Sequence, residues 1–176
     1  MFITSQCIAP PHPVEQTVTL ITRYVSERVT PINRPSVCIN ATMEPDVIGK
    51  AVQGTVYFRL VDWSLYAAPR RNWAVSATAT VLHEVLHQIG LGYGLNSETV
   101  WLEEGVVQAV TLDLLPGVMR RMRAPYFSSP YAAYSDRVSA VRAASTEATG
   151  QAWTSPAARR WRLNLLVTPP DQRTLG

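Results

Sequence analysis

The chain has 176 residues, 47% of them hydrophobic and 16% charged, with a formal net charge of +3 at pH 7. These values exclude a disordered chain and suit a single domain, residues 1–176, built on one core. No apolar run approaches the roughly 18 residues of a membrane span, so none is expected. Residues 1–13 lack the basic start and long apolar stretch of a secretory signal, which makes a cytoplasmic location the default. Cys7 and Cys38 are the only cysteines. A single disulfide and two free thiols are equally compatible with them.

In chain order, Val14, Val18, Ile21, Val25 and Val29 recur at helical spacing and predict a helix over 14–29, closed by Pro31. Residues 36–41 read as a short strand. Residues 42–53 read as a polar connection. Val56, Phe58 and Leu60 alternate with polar neighbours and predict a strand over Gly54–Asp62; residues 64–68 offer a further one. A helix follows over about 73–89 and is stopped by Gly90, Gly92 and Gly94. A second runs from Ser97 to about Leu115, where Pro116-Gly117 ends it. A third spans 130–149 with Ser129 as N-cap and Gly150 at its end. A fourth covers 153–167, interrupted near Pro156. Residues 1–13 and 169–176 read as tails. This order of elements predicts an α+β fold.

The stretch with the most chemical content is His83-Glu84-Val85-Leu86-His87, which reads H-E-x-x-H and contains two of the three histidines. On a helix the two imidazoles stack at i and i+4, where one Zn2+ can take both. Glu84 flanks the same point as a carboxylate able to accept a proton from an activated water. A tetrahedral site then needs a third protein ligand, and two residues compete for it. Tyr93 completes H-E-x-x-H-x-x-G-x-x-Y, one residue away from the metzincin pattern, but a phenol titrating near 10 is a poor zinc ligand. Glu104, with Glu103 beside it, is the other.

Trp101-Leu102-Glu103-Glu104-Gly105 resembles the W-L-x-E-G segment of gluzincin metallopeptidases, in which the glutamate before glycine is the third ligand. The spacer after His87 is shorter than in the aminopeptidase and thermolysin types and is similar to that of minigluzincins, or peptidase-MA-like domains. The resemblance covers about residues 54–150, including Ala133-Tyr134-Ser135-Asp136-Arg137-Val138. It implies a zincin-like fold, with an N-terminal helix and small twisted mixed sheet, an active-site helix and a helical C-terminal part. It also implies one zinc ion held by His83, His87 and Glu104, and peptide or protein substrates.

On this reading Glu84 is the general base, and the strand Gly54–Asp62, or else residues 64–68, binds substrate by edge addition. Tyr134, then Tyr131 and Tyr126, are candidates to assist the oxyanion. Asp113 or Glu103 is expected to orient a ligand histidine. Two arginine-rich runs, Arg120-Arg121-Met122-Arg123 and Arg159-Arg160-Trp161-Arg162, read first as solvated helix faces and second as a nucleic-acid contact. The competing functional classes are a catalytically silent zincin-like binding or structural part of a larger assembly, such as a phage particle, and a DNA-associated zinc protease. Retention of Glu84 favours an enzyme. Nothing in the sequence specifies an oligomeric state.

Overall fold

Val56 and Phe58, the inward positions of the clearest strand pattern, are both fully buried in a strand over Thr55–Arg59. Around it, a computed structural model describes residues 7–10, 12–44, 47–59, 71–90, 97–124 and 134–175. In chain order the elements are β1 (Cys7–Ile8), α1 (His12–Arg28), β2 (Ser36–Asn40), β3 (Gly49–Val52), β4 (Thr55–Arg59), α2 (Arg71–Gly90), α3 (Ser97–Arg121), α4 (Ser135–Thr149) and α5 (Pro156–Val167). A 3-10 turn at Pro170–Gln172 follows. The fold is α+β, with a four-stranded mixed sheet in the order β1-β2-β4-β3. β2 and β4 run parallel, while β1 and β3 pair antiparallel at the two edges. Among the described residues no helix is long and apolar enough to cross a membrane.

α2 is apolar around most of its circumference, with Val75, Ala79, Val81, Leu82, Val85 and Leu86 all buried. That is the pattern of a core helix rather than a surface one. It packs against α1, β3 and α3, and α3 in turn packs against α4 and α5. Gly105 sits where a Cβ would lie 3.0 Å from that of Arg137, so α3 and α4 approach closely there.

Several boundaries differ from the sequence reading. β1 and β3 are strands where a tail and a polar connection were expected, because such short edge strands carry too few residues for period-2 alternation to show. Cys7 and Cys38 form a disulfide that ties β1 to β2. α3 continues through Pro116 to Arg121 instead of stopping at Leu115. An interior proline costs a helix about 3 kcal/mol, but Leu115, Val118 and Met119 are fully buried, and each such side chain contributes roughly 1.5–3 kcal/mol. Burial wins. Pro156 begins α5 rather than interrupting it, with Ser155 Oγ accepting the Ala158 N–H at 3.1 Å. α4 starts at Ser135; the expected cap Ser129 and Pro130 lie outside the described residues.

The expected C-terminal tail is tied down, with Pro170 and Arg173 buried. Arg162, expected within a solvated or nucleic-acid-binding run, has no exposed surface at all. Its guanidinium donates to Asp113 Oδ2 at 2.7 Å and Oδ1 at 3.0 Å, to Ser145 Oγ at 2.8 Å and to the Trp153 carbonyl at 2.9 Å. Asp113 is thereby taken up in joining α3, α4 and α5, away from the histidines. Removing one partner of a buried pair strands the other charge, at a cost of about 3–5 kcal/mol. Arg162→Ala should lose about that much in equilibrium denaturant unfolding.

Candidate metal centre

The 3.6-residue period of α2 stacks His83 and His87 on one face, with their rings 4.7 Å apart and nearly perpendicular. Each ring is held through Nδ1. His83 Nδ1 lies 2.9 Å from Gln108 Oε1, and His87 Nδ1 lies 3.2 Å from Glu103 Oε1. Both partners are acceptors, so both Nδ1 atoms carry the hydrogen and a neutral ring is left with a bare Nε2. The two Nε2 atoms face each other at 3.0 Å.

α3 brings the third group. Two adjacent residues on a helix project about 100° apart, which separates the roles of the tandem glutamates. Glu104 Oε2 lies 3.1 Å from His83 Nε2 and 3.4 Å from His87 Nε2. Glu103 instead points to His87 Nδ1 and, through its other oxygen, forms a buried ion pair with Arg173. Gly90, the last residue of α2, makes room for it, since a Cβ there would lie 2.6 Å from Glu103 Oε1.

The donor set of His83, His87 and Glu104 fits a metal ion, with one ligand atom of each within 4.8 Å of the others. Three lone-pair atoms 3.0–3.4 Å apart repel unless a proton or cation lies among them. A tetrahedral ion with bonds of about 2.0–2.1 Å would hold its donor atoms about 3.3 Å apart, close to this spacing. Burial alone would push the Glu104 carboxyl up. When the rings also carry a proton on Nε2, the hydrogen bonds they donate and their charge outweigh burial and hold the group well below the usual carboxylate range.

Glu84 is buried one residue along from His83. Burial pushes its pKa above the ordinary value of 4.5, His83 and His87 pull it back, and Glu104 pushes in the same direction as burial. Its carboxyl lies against the backbone of β3, since a Cβ on Gly49 would meet Glu84 Oε1 at 2.7 Å. β3 is held to the same end of α2 by Gln88. That side chain accepts the Gly54 N–H at 2.9 Å and donates to the carbonyls of Val52 at 3.2 Å and Thr55 at 3.3 Å.

No family model, curated protein or solved structure matches the chain. The reading of the centre therefore rests on its own geometry. Of the residues singled out in the sequence, His83, Glu84, His87 and Glu104 come together, and Tyr134 joins them. Its ring stacks on that of His83 at 5.9 Å and 14°. Tyr134 holds a left-handed backbone at φ 58° just before α4. The Arg137 guanidinium lies 4.9 Å from the Tyr134 ring and 6.0 Å from that of Trp101.

Tyr93, Tyr126, Tyr131 and residues 60–70 lie outside the described residues. The expectation that the strand over Gly54–Asp62 offers a free edge is corrected. Its described part, β4, is flanked by β2 and β3, so its backbone bonds are taken on both sides, and among the described strands the edge beside Glu84 is β3. Sequence reasoning missed Gln108, Gln88 and Arg173. Gln108 had a signal: it is a polar residue in an apolar run, one helical turn after Glu104. Arg173 had none.

Because folding raises the Glu84 pKa, the folded chain binds that proton more tightly than the unfolded chain. The contribution of this group to stability is therefore lost as pH rises above about 4.5. Metal-free Glu84→Gln should melt at a higher temperature than metal-free wild type at pH 7–8, and the difference should close as the pH falls toward 4.5.

Proposed function

We propose that the chain is a zinc-dependent metallopeptidase with a zincin-like fold of the gluzincin type. The observation that carries the reading is the convergence of His83 Nε2, His87 Nε2 and Glu104 Oε2 from two adjoining helices, with the charges of all three acting on the buried Glu84 carboxyl. Imidazole nitrogens with one carboxylate suit zinc, and three protein ligands leave a fourth position for chemistry. Bound there, zinc would act as a Lewis acid on a carbonyl and make a water more acidic.

The chain's own residues supply the rest. A substrate peptide lies along β3, the sheet edge that runs past Glu84. Glu84, made a stronger base by burial, takes a proton as the carboxylate from the attacking water and passes it to the leaving amine as the C–N bond breaks. Tyr134, stacked on His83, supports the oxygen on which negative charge develops. Gln108 and Glu103 fix both histidine tautomers so that each Nε2 faces the ion.

Elemental analysis of purified protein checks this directly. Wild type should hold about one zinc per chain after reconstitution, and Glu104→Ala should lose it. Glu84→Gln should keep the metal and lose at least a hundred-fold in peptide hydrolysis, in line with removal of a general base. Absence of zinc from reconstituted wild type would overturn the proposal.

A further inference from the structure

Resting on the metal reading above, we propose that Arg173 is a positioning residue for the centre. It holds Glu103 as the hydrogen-bond acceptor of His87 and keeps that glutamate out of the ligand set, so that Glu104 alone of the tandem pair faces the ion. The Arg173 side chain is 1% exposed and is gripped at three points. Nη1 pairs with Glu103 Oε2, Nη2 donates to the Leu166 carbonyl at 2.7 Å, and Nε donates to the Thr168 carbonyl at 2.8 Å. The last two acceptors belong to the end of α5 and the residue after it, so the guanidinium cannot follow Glu103 if that side chain moves.

Glu103 is itself 1% exposed, and its two oxygens are divided between Arg173 and His87 Nδ1. Without a counter-charge, a carboxylate buried at this depth would turn toward the nearest alternative cation. A metal ion at His83 and His87 is that cation, because the Glu103 carboxylate already touches one of its ligands. Loss of Arg173 should therefore loosen His87 and admit Glu103 as a competing ligand. Burial lowers Arg173 to about 10, which leaves it charged at neutral pH.

The test compares full-length wild type, Arg173→Gln and Arg173→Lys by zinc affinity from chelator competition, by the visible absorption of the Co2+-substituted proteins, and by the melting temperature of the metal-free proteins. Arg173→Gln should bind zinc 10–100-fold more weakly, the usual effect of losing a group that supports a ligand, and its Co2+ spectrum should shift as the ligand set becomes mixed. Arg173→Lys keeps the charge but not the three-point grip, and should weaken binding by a smaller factor. If Arg173→Gln fails to fold, Arg173→Lys carries the test: a several-fold loss with a shifted spectrum supports the proposal. Unchanged affinity and spectrum in a folded variant, even with a lower melting temperature, would reduce Arg173 to a clasp on the C-terminal segment and overturn the proposal. If wild type itself binds no metal, the metal reading falls and takes this one with it. Equal binding by wild type and Arg173→Gln removes this one alone.

Discussion

Mutual repulsion among three lone-pair atoms is the constraint that the rest of the structure must satisfy. Nitrogens of His83 and His87 and an oxygen of Glu104 sit 3.0–3.4 Å apart with little water to screen them. Left free, such groups would turn away from one another. They are kept facing by what lies behind them: Gln108 and Glu103 hold the far side of each imidazole, and the packing of α2 against α3 prevents the helices from separating. The apolar residues of α2 thus do more than fill the core. Val85, Leu86 and their neighbours supply the hydrophobic stabilisation that offsets a polar cluster costly to assemble.

Two supports act at a distance on the same end of α2. Gln88 ties the β3–β4 turn to the residue next to His87, and Arg173 ties the C-terminal segment to Glu103 behind it. The centre is therefore bracketed by segments far apart in sequence. Arg162 does comparable work for the helical half and keeps α4 and α5 in register with α3.

How much of this was legible depended on whether the signal was local. The i, i+4 histidines and the helix bearing them are short-range features, and α2 appears within two residues of its expected bounds. Glu104 was recognisable from a short pattern, but its distinction from Glu103 was not. α3 is apolar on most sides, and the choice is made by Gly90 and Arg173, one on the preceding helix and one near the C-terminus. Pro116 misled because its local cost was legible and the burial that overcomes it was not. The order of the strands was also hidden. A sequence shows alternation but not which strand becomes the edge, so an open edge was expected on β4, whereas among the described strands β4 lies between β2 and β3.

The sheet's two margins are unequal in what they can capture. β1 is two residues long and covalently pinned to β2, which leaves it almost no unpaired ladder. β3 has four residues, and in an antiparallel pair only alternate ones turn their N–H and C=O outward. Any extended segment laid there, substrate or another copy of the chain, meets about two such residues. Each net hydrogen bond is worth only about 0.5–1.5 kcal/mol. An edge this short can align a strand but cannot retain one, so it resists strand-to-strand self-association.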